Sequence, residues 1–162
     1  MQIGVVSDSH DNIWKLSDAL PRLAQTDVVL HCGDLCSPFV IRRMGEGLEG
    51  TPLHIVWGNN DGDRHALTLV AGGYPDVELH GHTGRLELDG WQVAFNHYPG
   101  LARDMALSGQ YDLVCYGHDH TAHQEKIGDC LLLNPGELMG MNGNSSIALV
   151  DTESGKATYV SL

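Results

Sequence analysis

The sequence predicts an α/β fold, a four-layer α/β/β/α sandwich of two mixed sheets with helices on the outside. Three observations lead there. The first half alternates short apolar runs with amphipathic stretches, the rhythm of strands covered by helices. The second half changes to short strand-like runs separated by glycine-rich turns. The chain has 162 residues, 42% of them hydrophobic, which suits one domain over residues 1–162 with a proper core.

Residues 3–6 read as a buried strand. Asn12 can cap a helix running to about Ala24, with Ile13, Leu16, Leu20 and Leu23 on one face. Residues 28–31 form a second strand, 39–44 a short helix, 53–57 a third strand and 64–70 another short helix. Residues 78–80, 85–88 and 92–96 are short strands whose glycine-rich turns predict antiparallel pairing. Residues 101–107 are helical and 113–116 a buried strand. Residues 131–133, 147–150 and 158–161 read as a closing meander. No linker, repeat or low-complexity tract interrupts the pattern.

Composition excludes several classes of function. No apolar run approaches the ~20 residues of a membrane span. The first residues read as a strand with no basic region or cleavage pattern, so a secretory leader is not expected and the expected location is cytoplasmic. Net charge is −12 with only 9 Lys and Arg, and Arg42-Arg43 is their sole adjacent pair, so long nucleic acid is not an expected partner. Cys32, Cys36, Cys115 and Cys130 form no CxxC pair and read as free thiols.

The chemistry lies in the residues just after the strands. Val5-Val6 leads to Asp8 and His10; residues 28–30 lead to His31-Cys32-Gly33-Asp34; residues 55–57 lead to Gly58-Asn59-Asn60-Asp61. Residues 93–95 lead to Asn96-His97, and residues 114–116 to Gly117-His118-Asp119-His120. Ligands in open α/β sheets bind beyond the carboxyl ends of strands. The carboxylate, imidazole and amide groups placed there suit borderline-to-hard divalent cations. Gly33, Gly58 and Gly117 each precede a candidate ligand, where positive φ or close backbone approach is useful. Each piece alone reads equally as a polar turn; five in one order, each after a strand, do not.

The order DSH, GD, GNND, a lone His after a strand, then GHDH resembles the calcineurin-like metallophosphoesterases, and most closely their small single-domain bacterial and archaeal phosphodiesterase branch. Asn134-Pro135-Gly136 matches a turn usual in that branch. The resemblance implies the metallophosphoesterase fold and a centre of two divalent ions. Mn²⁺ is the first expectation, with Fe, Zn, Ni or Mg as alternatives. It also implies the ligand sets: Asp8, His10, Asp34 and His120 for one ion, and Asp34, Asn59, His97 and His118 for the other, with Asp34 shared. The expected reaction is hydrolysis of a small phosphate ester, foremost a phosphodiester, by a hydroxide bridging the ions, formed from a water whose pKa metal coordination lowers toward roughly 7.

Two positions depart from the family pattern. Asn60 stands where many members carry a histidine that protonates the leaving oxygen; an amide can donate a hydrogen bond but not a proton at neutral pH. Asn60 and Asp61 are the candidate catalytic residues of this loop, Asp61 being expected to orient a neighbour or close the turn. His97 lies in His-Tyr-Pro-Gly where the branch often has His-Gly-His, and Tyr98 is a candidate pocket residue. His31 could hydrogen-bond near the metals, His54 is expected on a strand face, and His65, His80, His82 and His123 on surfaces or turns. The alternatives are a phosphomonoesterase and a non-catalytic scaffold like the retromer subunit of the same fold. A homo-oligomer built on an exposed sheet edge is also open.

Overall fold

The computed structural model describes residues 1–162. Its first sheet carries six strands: β1 (Gln2–Val6), β2 (Val28–His31), β3 (Leu53–Ile55), β4 (Val77–Leu79), β10 (Ser146–Asp151) and β11 (Lys156–Ser161), in the order β11-β10-β1-β2-β3-β4. The second sheet has β5 (Thr83–Leu88), β6 (Trp91–Asn96), β7 (Leu113–Cys115), β8 (His123–Ile127) and β9 (Cys130–Asn134), in the order β5-β6-β7-β9-β8. Strands β1 to β4 are parallel, as are β6, β7 and β9, and antiparallel strands flank each set. Both sheets are therefore mixed.

Three apolar clusters separate four layers. Helices α1 (Ile13–Leu23), α2 (Pro38–Gly47) and α3 (Arg64–Ala71) bury Leu16, Leu20, Leu23, Ile41, Met44 and Leu67 against Val6, Val29, Leu53 and Ile55 of the first sheet. Between the sheets, Ile3, Val5, Val28 and Leu30 meet Val93, Phe95, Leu113, Cys115 and Leu133. On the far side, α4 (Pro99–Leu107) lays Ala102, Met105 and Ala106 over Ala94, Val114 and Leu132. Because successive strand residues face opposite sides, strands covered on both faces must be apolar throughout, which is why β1, β2 and β7 read as unbroken hydrophobic runs.

Local signals set the helix starts. Asn12 caps α1, its Oδ1 accepting from the Lys15 N–H at 3.1 Å, as the sequence predicts. Asp63 does the same for α3, accepting from the Ala66 N–H at 3.0 Å. Pro38 and Pro99 each begin a helix, where a missing N–H is harmless.

The structure corrects three expectations. The closing meander does not exist: β9 lies in the second sheet, parallel to β7, whereas β10 and β11 form a hairpin on the first. Residues 78–80 do not join an antiparallel set, because β4 pairs parallel with β3. And β8, which no apolar pattern predicts, pairs with β9; its polar run HQEKI leaves little buried surface to betray it. The thiol expectation holds, since all four cysteines are unpaired and burial raises the pKa of each.

Candidate metal centre

The polar residues at the ends of β1, β2, β3, β6 and β7 meet at one end of the sandwich. Backbone hydrogen bonds lace them together. The Asp8 N–H donates to the Gly33 carbonyl at 3.1 Å, the His10 N–H to the Asp34 carbonyl at 3.0 Å, and the Gly117 N–H to the His97 carbonyl at 3.2 Å. The His118 N–H donates to Asp8 Oδ2 at 3.0 Å. Five of the candidate ligands occupy the left-handed region, with φ of 53° at Asp8, 39° at His10, 59° at Asp34, 77° at His118 and 57° at His120. Such conformations cost on the order of 1–3 kcal/mol each and persist only where the surroundings over-determine them.

Close approach explains the glycines. A Cβ on Gly58 would lie 2.0 Å from Asp34 Oδ1, and one on Gly117 would lie 1.9 Å from Ser7 Oγ and 2.5 Å from Asp8 Oδ2. Positive φ is needed at Gly33 alone of the three, at +97°.

The seven candidate ligands form two groups that share Asp34. In one, Asp8 Oδ1 lies 3.7 Å from His10 Nε2 and 3.3 Å from His120 Nε2, and His10 Nε2 lies 3.5 Å from Asp34 Oδ2. In the other, His97 Nε2 is 3.3 Å from Asp34 Oδ2 and 3.0 Å from Asn59 Oδ1. His118 Nδ1 stands 2.9 Å from Asn59 Oδ1 and 3.3 Å from His97 Nε2.

Two observations test whether cations fit. The first is spacing. Atoms ~2.1 Å from one ion sit ~3.0 Å apart at octahedral corners and ~3.4 Å apart at tetrahedral ones; six of the seven separations, 2.9–3.5 Å, lie in or within 0.1 Å of that range, and the Asp8–His10 pair at 3.7 Å is wider. The second is unmet polarity. Asp8 Oδ1 and His10 Nε2 are buried without a hydrogen-bond partner. His97 Nδ1 faces the Cys32 carbonyl at 2.8 Å, so that nitrogen carries the proton and Nε2 presents a lone pair to the oxygens of Asp34 and Asn59. Converging lone pairs repel one another unless a cation lies among them. The residues present therefore fit a pair of divalent ions, and the mixed N/O donor set suits borderline-to-hard metals.

A supporting layer holds these side chains. Asp61, 2% exposed, accepts the N–H groups of Asp34 (3.0 Å) and Gly58 (2.7 Å) on Oδ2 and of Cys36 (2.8 Å) on Oδ1. Its carboxylate is thus spent on joining the loops after β2 and β3, and Asp61 is a positioning residue. Asn60 is exposed at the mouth; its N–H donates to Asp34 Oδ1 at 2.8 Å and its side-chain amide to Asp34 Oδ2 at 2.7 Å. Buried His31 lies 3.3 Å from Ser9 Oγ and accepts the Gly33 N–H at 3.2 Å. Tyr98 packs its ring edge-on to His97 and His118. The turn at residues 134–136 braces the last loop, Asn134 donating to the Gly117 carbonyl and to Asp119 Oδ1.

Sequence reasoning missed Glu137. It is buried, and its Oε2 sits 2.6 Å from His120 Nδ1, the carboxylate–histidine pairing that fixes a metal-binding imidazole in one tautomer. Nothing in the local sequence marks it beyond a position shortly after an apolar strand.

Electrostatics agree with the geometry. Burial pushes the Asp34 carboxyl up, but the neighbouring His97 imidazole and the hydrogen bonds donated by the Asn60 backbone and side chain outweigh it and hold the group well below the usual carboxylate range. Asp8 is likewise lowered despite burial, chiefly by His10. Both carboxylates are ionised at neutral pH. The largest cavity, about 650 Å³ between the end of α4 and the β8–β9 turn, lies apart from this centre. A groove of about 380 Å³ lined by His120, Thr121, Asn142 and Asn144 opens beside it.

Residues 1–155 match the family model of the calcineurin-like phosphoesterase superfamily domain. The chain is 33% identical to a phosphodiesterase of Methanocaldococcus jannaschii, with 94% of each covered. It is 32% identical to the probable metallophosphoesterase YsnB of Bacillus subtilis, over 98% of this chain and 88% of that one. Among solved structures, an archaeal phosphodiesterase superposes with a TM-score of 0.91 at 30% identity over the full length of both. Vacuolar protein sorting 29 of Cryptosporidium parvum shares the fold, with a TM-score of 0.70 at 16% identity over 99% of this chain and 96% of that one.

Proposed function

The chain belongs to the calcineurin-like phosphoesterase superfamily, and on that premise we propose that it is a divalent-metal-dependent hydrolase of small phosphodiesters. The observation that carries this reading is the pair of ligand groups sharing Asp34. We assign Asp8, His10, Asp34 and His120 to one ion and Asp34, Asn59, His97 and His118 to the other, with Mn²⁺ as the working metal. When bound, the two ions supply Lewis acidity for the phosphoryl oxygens and a water acidic enough to attack phosphorus at neutral pH.

The chain's own residues do the rest. Asp8 and Asp34 bring negative charge to the cations, and Asn59 adds an oxygen without charge. His97 and His120 keep their protons on Nδ1, toward the Cys32 carbonyl and Glu137, so that Nε2 of each stays unprotonated. Asn60 stands at the mouth as a hydrogen-bond donor to the leaving oxygen and has no proton to transfer. That position therefore supplies no general acid, and hydrolysis favours leaving groups that depart as stable anions. In a protein of net charge −12, the cations provide most of the attraction for an anionic substrate.

A Mn²⁺-supplemented assay comparing aryl and alkyl phosphodiesters, phosphomonoesters and cyclic nucleotides tests the reading. The expected result is turnover of aryl diesters first, abolished by a chelator. Asn60→His should speed hydrolysis of alkyl esters more than aryl ones. Full-rate turnover by metal-stripped protein, or a rate independent of leaving-group pKa, would overturn the mechanism.

A further inference from the structure

A second group of metal-ligating side chains lies outside this centre, at the open edge of the sandwich. Strand β4 is the last strand of the first sheet and is only three residues long. Leu53 and Ile55 of β3, with Val77 and Leu79 of β4, face the helices. By strand alternation, His54, Glu78 and His80 face the other way, toward the second sheet. The parallel register sets His54 directly opposite Glu78. The His80 ring packs edge-on to Phe95 of β6, with centroids 5.3 Å apart.

Three donor atoms converge there. His54 Nδ1 lies 2.9 Å from His80 Nε2, and Glu78 Oε2 lies 3.4 Å from the first and 3.8 Å from the second. A triangle with sides of 2.9, 3.4 and 3.8 Å has a circumradius of about 2.0 Å, so an ion close to its plane would lie ~2.0–2.1 Å from all three atoms, the Zn–N and Zn–O bond length. One imidazole proton can join the two rings, but it leaves the carboxylate oxygen beside both without a proton of its own. A cation satisfies all three lone pairs together. We propose that His54, Glu78 and His80 form a separate metal site that takes one Zn²⁺ ion and pins the edge strand β4 to β3, a fourth position staying open to water.

The donor chemistry supports this choice. Two imidazoles and one carboxylate are a borderline N/O set, poor for Mg²⁺ and good for Zn²⁺. Burial of the two rings keeps both imidazoles neutral and their lone pairs available at neutral pH. The side chains of His54 and His80 are 15% and 12% exposed, whereas Glu78 is 64% exposed and gives the ion a way in.

The test is a Zn²⁺ titration of the full chain, with bound metal counted after gel filtration. Wild type is expected to hold three equivalents per chain, and the His54→Gln/His80→Gln double variant two. Glu78→Gln changes only an exposed side chain and keeps the experiment decisive if the double variant does not fold. It should weaken one equivalent at least tenfold and leave two unchanged. Replacing Zn²⁺ by Co²⁺ should add an intense visible band of four-coordinate geometry in wild type that is missing from the variants. Equal stoichiometry and affinity in wild type and Glu78→Gln, or the same Co²⁺ spectrum in both, would overturn the proposal. Mn²⁺-supported hydrolysis does not enter these readouts, so that outcome would leave the phosphoesterase reading standing.

Discussion

Glu137 sits one hydrogen bond behind His120, and His31 is buried beside Ser9 and Gly33; neither is a candidate ligand, and each has a measurable consequence. Glu137→Gln keeps the shape but loses the anionic acceptor that holds the His120 proton on Nδ1. Such supporting partners are worth ~10–100-fold in metal affinity, so Mn²⁺ affinity should fall by that factor, read by titration, with little change in fold. His31 behaves differently. Burial lowers its pKa from 6.5 to about 4, against the opposing pull of Asp61, Asp8 and Asp34. The unfolded chain then binds a proton between those values that the folded chain does not. Stability therefore falls as pH drops from 6.5 toward 4, by an amount on the order of 3 kcal/mol. In chelator, denaturant melts of His31→Gln should show a flatter acid limb than wild type over that window. Parallel pH profiles would refute the assignment.

At the scale of elements, strands act as posts and the turns after them hold the chemistry. That makes two glycines of identical composition behave in opposite ways. Gly117 comes after β7, and its Cα faces Ser7 and Asp8 with no room for a methyl group. Gly117→Ala must part that loop from the one after β1, at a cost of about 1–3 kcal/mol. It should also break the His118 N–H bond to Asp8, and activity should drop at least tenfold. Gly100 lies in α4, has no positive φ, and leaves open space for 4 Å around the position a Cβ would take. Gly100→Ala should raise stability by about 0.5–1 kcal/mol through helix propensity, with unchanged kcat. Thermal melts and metal counts on the two variants separate close approach from simple flexibility.

For the whole molecule, the candidate centre takes ligands from both sheets: Asp8, His10, Asp34 and Asn59 come after strands of the first, and His97, His118 and His120 after strands of the second. Ions held there would tie the two halves of the sandwich together and so link metal binding to folding. At a free concentration of 100 Kd, one ion adds about 2.7 kcal/mol, which for a chain of this size is a rise in Tm of roughly 5–10 °C. Mn²⁺-saturated protein should melt at least 5 °C above chelated protein, and Asp34→Asn, which removes charge from the shared ligand, should lose most of that rise. Equal melting temperatures with and without Mn²⁺ would mean that the loops hold no ion. No helix is long and apolar enough to cross a membrane.

The sequence by itself determined what is local. The apolar runs of β1, β2 and β7, the cap at Asn12 and the polar residues after each strand were legible because strand, turn and ligand are neighbours in the chain, and their order suffices to name the family. Tertiary structure decided the rest. Three-residue strands such as β4 carry no record of which sheet they join, since any apolar edge accepts them, and polar β8 buries too little to announce itself. His80, expected at a surface or turn, is instead largely buried against His54, and Glu137 lies 17 residues from His120. Such pairs meet only because parallel register and sheet packing bring distant segments together, and no spacing within the chain encodes that meeting.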